Sequence, residues 1–195
     1  MPLQTLAEYE LLAAVAHGHL CAGQILGLRM AMLGVRLLGL DDPAGKDRKR
    51  LVSIVEIDRC MTDAIGVVTG CRLGKRALQF RDYGKAAATF CDLERNRAVR
   101  IAARESAKER AAALYPEIAG RNPQQMRAYR EMTDEELFLV EWVRVAFAAE
   151  DLPGYKAARV VCAQCGESVS FRREVVRQGR ALCRACAGER YYEPA

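Results

Sequence analysis

The sequence Cys162-Ala-Gln-Cys165 is followed after 17 residues by Cys183-Arg-Ala-Cys186, and these two pairs decide the fold of the C-terminal part. Two intervening residues let one tight turn direct both sulfurs of a pair at one ion, and four thiolates form the tetrahedral site of structural zinc. Two disulfides or four packed cysteines are the alternative, which this spacing does not favour. With no open coordination position, the predicted zinc is structural and supplies much of the folding energy of a small module.

The zinc-binding segment is predicted to be a separate domain, residues 156–195, of the zinc-ribbon or treble-clef-like kind. Asp151-Leu-Pro-Gly154 contains two helix breakers and marks the boundary with a core domain over residues 1–155. Between the cysteine pairs, Val169-Ser-Phe171 and Val175-Val176 are expected to pair as a hairpin. The tail has eight basic and four acidic residues, a net +4 of the chain's +5, and this charge permits an acidic partner.

The core domain is predicted to begin with two helices. Thr5-Leu-Ala-Glu8 has the form of a capping box and opens a helix over about Leu6–Ala16, which Gly18 ends. A second, apolar helix is expected over about Ala22–Leu38. Because glycine lowers helix propensity, we expect its small residues to permit close packing against another element. These residues are Ala22, Gly23, Gly27, Ala31 and Gly34.

Strands and helices are mixed along the rest of the core, which predicts an α+β fold with an antiparallel or mixed sheet flanked by helices. β-Branched and other apolar residues indicate the strands. The expected strands are Leu51–Ile57, about Arg76–Arg81, about Lys85–Leu93 and about Ala98–Ala102, with a turn at Asp82-Tyr-Gly84 between the second and third. Composition and capping boxes indicate the helices. The expected helices are a short one capped by Asp58 or Thr62 through Val68, one over residues 105–114, and one from Thr133-Asp-Glu-Glu136 to about Ala149, after a loop at Gly120–Pro123.

The composition suits a folded protein without a membrane span. Apolar residues make up 51% and charged residues 28% of the 195, and the apolar stretches end well before the roughly 18 residues that a span requires. Met1–Ala16 has no basic residue, so it lacks the positive flank of a signal peptide. We therefore expect a cytoplasmic protein with no membrane partner, in which cysteines are thiols or metal ligands.

A second group of soft ligands lies at His17-Gly-His-Leu-Cys21, which holds both histidines of the chain. Imidazole and thiolate are the favoured ligands of zinc, copper, nickel and iron. One short loop rarely completes a site, and Cys60 is the best distant candidate because the start of a helix favours a thiolate. Packing is the alternative role for these side chains, with about equal weight. Cys71 and Cys91 are expected to be core cysteines.

Five short blocks follow one another within roughly residues 10–95. They are His17-Gly-His-Leu-Cys21-Ala-Gly23, Gly27-Leu-Arg29-Met-Ala31, Cys60-Met-Thr-Asp63-Ala-Ile65, Thr69-Gly-Cys71-Arg-Leu-Gly74-Lys75 and Asp82-Tyr-Gly84-Lys85. In this order the blocks resemble the FmdE family, which is named after formylmethanofuran dehydrogenase. Ala22 stands where the family commonly has proline, and Arg72 stands where a small polar residue is usual.

The resemblance implies an α+β core, an intertwined homodimer and, in some members, an appended zinc finger. It also implies a cleft, which we predict to be a second transition-metal site. The cleft residues are His17, His19, Cys21 and Cys60, with Asp63 and Lys75 nearby. The candidates for a catalytic role are Cys21, Cys60, Asp63 and Lys75. The family name refers to an operon for a molybdenum enzyme and establishes no reaction.

Three functions fit these features. The favoured one is a metal-binding accessory protein, linked to molybdenum or tungsten enzyme metabolism, whose finger contacts a protein partner. The second is an enzyme that uses a core metal or a cysteine thiolate, with no substrate class indicated. The third is nucleic-acid binding or transcriptional regulation through the basic finger, which is not favoured because the charge is moderate and aromatics are few.

Overall fold

In the computed structural model, which describes residues 3–193, the chain divides into two units, Met1–Ala146 and Phe147–Ala195. Three helices of the first unit carry the candidate core site. They are α1 (Leu6–His17), α2 (Ala22–Leu37) and α3 (Cys60–Thr69). No helix among the described residues is long and apolar enough to cross a membrane.

Local capping chemistry explains where the first helix begins and ends. The Thr5 hydroxyl accepts a hydrogen bond from the Glu8 backbone N–H at 3.3 Å, and the Glu8 carboxylate accepts one from the Thr5 N–H at 2.8 Å. The predicted capping box is therefore confirmed. Gly18 ends the helix with a φ of 91°, a left-handed conformation that glycine adopts without strain.

The start of α3 differs from the prediction. Arg59 occupies the N-cap position and makes no side-chain capping hydrogen bond. Asp58 is not the cap, and the Thr62 hydroxyl donates instead to the Ile57 carbonyl at 2.5 Å. As a result, Cys60 is the first residue of the helix, and its thiol lies at the helix end.

A five-stranded mixed sheet forms the other layer, in the order β2-β1-β3-β4-β5. Its strands are β1 (Leu51–Val55), β2 (Leu78–Phe80), β3 (Ala87–Asp92), β4 (Arg97–Ala103) and β5 (Phe138–Val143). Only β1 and β2 are parallel within this sheet, because α3 and a 3₁₀ turn, Leu73–Lys75, return the chain to the same end. The predicted mixed sheet flanked by helices is confirmed. β2 and β3 do not pair with each other, since β1 lies between them.

The core is centred on α2, which packs against α3 on one side and the sheet on another. A Cβ atom at Gly27 would lie 2.5 Å from the Met61 carbonyl oxygen of α3, and one at Gly34 would lie 2.3 Å from Cδ2 of Phe90 in β3. These distances confirm that glycines in α2 permit close packing. At Gly23 the added carbon would meet the nearest atom at an ordinary 3.4 Å.

Helices and β5 complete the first unit, and here two predictions are wrong. The helices are α4 (Ser106–Leu114), α5 (Arg121–Glu131) and α6 (Asp134–Leu137). The predicted loop at Gly120–Pro123 opens α5, because proline fits the first turn of a helix, where its missing N–H is not needed. The capping box at Thr133 is present, but α6 has one turn and the predicted helix to Ala149 is replaced by β5. The aromatic and β-branched residues of Phe138–Val143 favour a strand, and β4 supplies its hydrogen-bonding partners.

The second unit contains a 3₁₀ turn, Ala149–Asp151, and two short antiparallel hairpins. Its strands are β6 (Val160–Val161), β7 (Ser168–Val169), β8 (Val175–Arg177) and β9 (Arg180–Leu182). The predicted hairpin between Val169 and Val175 is wrong, because β7 pairs with β6 and β8 pairs with β9. The Ala163 N–H donates to the Ala181 carbonyl at 2.8 Å and joins the two hairpins.

Candidate metal centres

Four cysteines of the second unit converge on one point. Cys162 and Cys165 lie in the β6–β7 turn, and Cys183 and Cys186 lie in the turn after β9. Their sulfur atoms are all within 4.8 Å of one another. The Cys165 and Cys183 sulfurs are 3.8 Å apart, which matches the roughly 3.8 Å edge of a tetrahedron with metal–sulfur bonds of about 2.3 Å. The donor set and its spacing therefore fit zinc.

The electrostatics of this cluster also suit a cation. Backbone N–H groups of Cys165, Cys183 and Gln164 lower the pKa of Cys162 to about 6. The Glu167 N–H acts in the same direction on Cys165, but burial and the neighbouring thiols raise the pKa of Cys165 to about 12. Four adjacent thiolates repel one another unless a positive ion lies between them, and a bound metal deprotonates all four.

The core candidates lie where the ends of three helices meet. His17 is the last residue of α1, Cys21 is the N-cap of α2, and Cys60 is the first residue of α3. The left-handed turn at Gly18 places His19 beside His17, with ring centroids 4.9 Å apart. The Cys21 and Cys60 thiols are hydrogen-bonded to each other. The structure thus brings the four residues to one region as two adjoining pairs.

The core donors are less tightly gathered than those of the finger. Within residues 3–193, the four cysteines of the second unit are the one group of three or more His, Cys, Asp or Glu donors spaced to hold an ion directly. In the core, the His17 Nδ1 atom lies 2.8 Å from Oδ2 of Asp63, and the His17 side chain is 20% exposed. Since Nδ1 contacts the carboxylate, Nε2 is the ring nitrogen that remains for a ligand.

The predicted acidity of Cys60 is wrong. Burial raises the pKa of Cys60, and the hydrogen bond and charge of Cys21 and the charge of Asp63 act in the same direction. These effects outweigh the helix N-terminus, because the thiol is partly desolvated and its nearest neighbours are acidic. Cys60 is therefore a protonated thiol in the metal-free protein.

The other candidates lie around this region. Lys75 is exposed in the 3₁₀ turn, and its charge acts on Cys71. Burial raises the pKa of Cys71, and burial followed by the charge of Cys71 raises the pKa of Cys91 to about 12. Both thiols are 3% exposed or less, which confirms them as core cysteines.

Two family profiles match the chain, one for each unit. The profile of the family described as "FmdE, Molybdenum formylmethanofuran dehydrogenase operon" matches residues 16–146. The chain belongs to the FmdE family. A second profile, the "Prokaryotic dksA/traR C4-type zinc finger", matches residues 156–192 and includes all four clustered cysteines. The FmdE core is therefore followed by a C4-type zinc finger.

Two relatives of this FmdE protein extend the comparison. A protein of Archaeoglobus fulgidus, named a probable S-adenosyl-L-methionine-binding protein, is 31% identical over 212 aligned residues covering 97% of this chain. The chain spans only 55% of the length of that relative. A crystal structure of an FmdE-like protein of tungsten formylmethanofuran dehydrogenase, from Syntrophus aciditrophicus, matches with a TM-score of 0.68 at 20% identity. That match covers 97% of this chain and 96% of the other, and it shows a shared fold.

Sequence analysis missed two residues that support the FmdE core site. The Asn122 side chain accepts a hydrogen bond at 2.9 Å from the Ala22 N–H, directly after Cys21. Arg29 of α2 donates to the Tyr129 and Met132 carbonyls at 2.8 and 3.0 Å. Both contacts join positions about a hundred residues apart, so no local pattern reveals them. Together they hold the start of α2 against α5.

Proposed function

We propose that this FmdE protein is a metal-binding accessory protein whose core cleft binds a transition metal or a metal-containing cofactor. The observation that carries the proposal is the meeting of the Cys21 and Cys60 thiols beside the His17–His19 pair, at the converging ends of three helices. The description of the family supports a link to molybdenum or tungsten enzymes. Soft sulfur and nitrogen donors suit such metals better than hard cations do.

The contact between His17 and Asp63 supports a metal ligand more than a nucleophile. Metal-binding histidines commonly donate their second ring N–H to a carboxylate, which fixes the tautomer and the ring orientation. The 2.8 Å contact from Nδ1 to Asp63 has this form. Asp63 is thus proposed as a positioning residue, and His17 as the ligand through Nε2. The raised pKa of Cys60 disfavours a free thiolate nucleophile, whereas metal binding would itself deprotonate the thiol.

Metal analysis of purified full-length protein tests the core site. We expect Cys21→Ser and Cys60→Ser each to lose the core metal while the finger keeps its zinc. Cys91→Ala, which alters a buried thiol outside both sites, serves as the matched control and should keep both metals. Asp63→Asn should weaken core binding by about 10–100-fold without removing a ligand. Unchanged metal content in both serine variants would refute the proposal.

The proposed partners are a second copy of the chain and a protein that contacts the finger. β5 ends the order of strands in the sheet, and Leu139, Val140 and Trp142 on it are 50%, 46% and 50% exposed. Antiparallel pairing of two β5 strands about a two-fold axis between residues 142 and 143 would place Glu141 opposite Arg144, so a second copy is complementary in charge as well as apolar. On the finger, Val161 and Val176 are 60% and 68% exposed beside the basic residues, which supports an acidic protein partner.

Light scattering after size exclusion tests the homodimer. Trp142→Lys places a charge within the proposed interface and should give monomers at concentrations where the wild type is dimeric. Val15→Lys alters an 85% exposed apolar residue on α1 and should leave the dimer intact. A wild-type protein that is monomeric at high concentration, or a dimeric Trp142→Lys variant, would contradict this interface.

The archaeal relative supports a second candidate, binding of S-adenosyl-L-methionine. The supporting observation is the 31% identity that extends over 97% of this chain. Equilibrium dialysis of the metal-replete and metal-free protein with labelled S-adenosyl-L-methionine tests it. Saturable binding would support the candidate, and none in either form would remove it.

A further inference from the structure

A cavity of 240 Å³ lies beside the candidate metal cleft, between the end of α1, the outer face of α3, the 3₁₀ turn and β2. Its wall includes Val67, Cys71, Leu73 and Leu78, which are apolar or nearly so. Leu73 is 67% exposed at the opening. Because cavities for drug-sized ligands measure about 300–1,000 Å³, this one suits a smaller metabolite with an apolar side chain.

Two opposite charges share the wall of this cavity without neutralising each other. Asp63 pairs with His17 through Oδ2, which leaves Oδ1 as an acceptor. Among residues 3–193, the Arg72 guanidinium has no ion-pair partner, although both side chains border the same space. Groups placed in this way can each bind the complementary charge of one small ligand. A guanidinium suits a carboxylate, and a carboxylate suits an ammonium group.

We propose that this cavity binds a free α-amino acid with an aliphatic or thioether side chain. Arg72 binds the α-carboxylate, Asp63 accepts hydrogen bonds from the α-ammonium group, and the side chain packs between Val67, Leu73 and Leu78. The proposal goes beyond the metal cleft, because the amino acid contacts neither Cys21 nor Cys60. The cavity is too small to hold an amino acid together with an attached nucleoside.

Isothermal titration calorimetry of the full-length protein tests the proposal with L-methionine and three analogues. We expect L-methionine to bind with a Kd of about 1 mM or lower. 4-(Methylthio)butanoate lacks the ammonium group and 3-(methylthio)propylamine lacks the carboxylate, so each should bind about tenfold or more weakly. S-adenosyl-L-methionine should not displace L-methionine. No binding of L-methionine, equal binding of the truncated analogues, or displacement by the nucleoside would each overturn the assignment.

Variants at the cavity wall give an independent test. Arg72→Ser should weaken L-methionine binding by about 10–100-fold and remove the preference over 3-(methylthio)propylamine. Arg48→Ser, which alters an exposed arginine away from the cavity wall, is the matched control and should bind like the wild type. Cys21→Ser should keep L-methionine binding, so that failure of the metal proposal is separable from failure of this one. Unchanged affinity in Arg72→Ser would refute the role of Arg72 and the proposal with it.

Discussion

The substitution Gly27→Ala tests how closely α2 and α3 must approach. Alanine in place of glycine normally strengthens a helix interior by about 1 kcal/mol. Here the added Cβ would lie 2.5 Å from the Met61 carbonyl oxygen, 2.7 Å from Met61 Cα and 3.0 Å from the Ala64 Cβ. Two of these three atoms belong to the backbone, so no change of side-chain rotamer relieves the overlap. The helices must therefore move apart.

The expected magnitude follows from these two opposing effects. Overpacking of a well-packed core costs about 1–3 kcal/mol, and backbone overlap favours the upper end. Subtracting the gain in helix propensity leaves a loss of roughly 2 kcal/mol in the free energy of unfolding. For a domain of this size, that loss lowers the Tm by about 4–8 °C. Because α2 and α3 begin at Cys21 and Cys60, the same movement should separate the thiols and weaken core metal binding.

Urea unfolding followed by far-UV circular dichroism, with zinc in excess, measures the effect. Gly23→Ala is the matched control on the same helix, because its Cβ would meet the Cys60 Cβ at an ordinary 3.4 Å. The control should unfold at the wild-type urea concentration or slightly above it. If Gly27→Ala unfolds at the same or a higher midpoint than the wild type with an unchanged m value, the packing argument is wrong.

Three further predictions concern the finger, acid stability and the start of α2. Cys183→Ser should lose the finger zinc and make the second unit sensitive to trypsin while the first unit resists; equal resistance of the second unit would contradict a metal-dependent fold. Burial opposes ionisation of Asp134, but hydrogen bonds from Arg29 and Arg36 hold its pKa below the usual 3.8. Its carboxylate therefore stabilises the fold above pH 3.8 and less as pH falls through the lower folded value, so Asp134→Asn should be less stable at pH 7 and flatten the acid limb of the stability curve; an unchanged limb would refute this linkage. Asn122→Ala removes the acceptor for the Ala22 N–H and should cost about 1 kcal/mol of stability, measured by urea unfolding, whereas a wild-type midpoint would show that water replaces it.

Local signals in the sequence predicted the first half of the fold well. The capping box at Thr5 and the glycine at position 18 bound α1 within a few residues, so their effect does not depend on distant parts of the chain. The second capping box, at Thr133, was also real, but the helix that it starts stops after one turn. Pairing with β4 outweighs helical periodicity over Phe138–Val143, and no local pattern records the presence of β4.

The candidate sites were predictable to different extents for the same reason. Each cysteine pair of the finger lies within four residues, so its spacing alone indicated how its sulfurs would converge. In the core, the His17–Asp63 contact and the Cys21–Cys60 contact join residues about 40 positions apart. The sequence supplied their identities, but the prediction that Cys60 is acidic failed because desolvation depends on what packs around it.

The amino-acid sequence alone therefore determined the zinc-binding tail, the first two helices and the residue types of the core cleft. Each of these follows from interactions within a few positions along the chain. Tertiary structure decided the edge strand β5, the pairing of the core donors and the protonation of Cys60. Strand pairing, side-chain contact and desolvation all depend on distant segments meeting in space, and the spacing of residues along a single chain does not encode them directly.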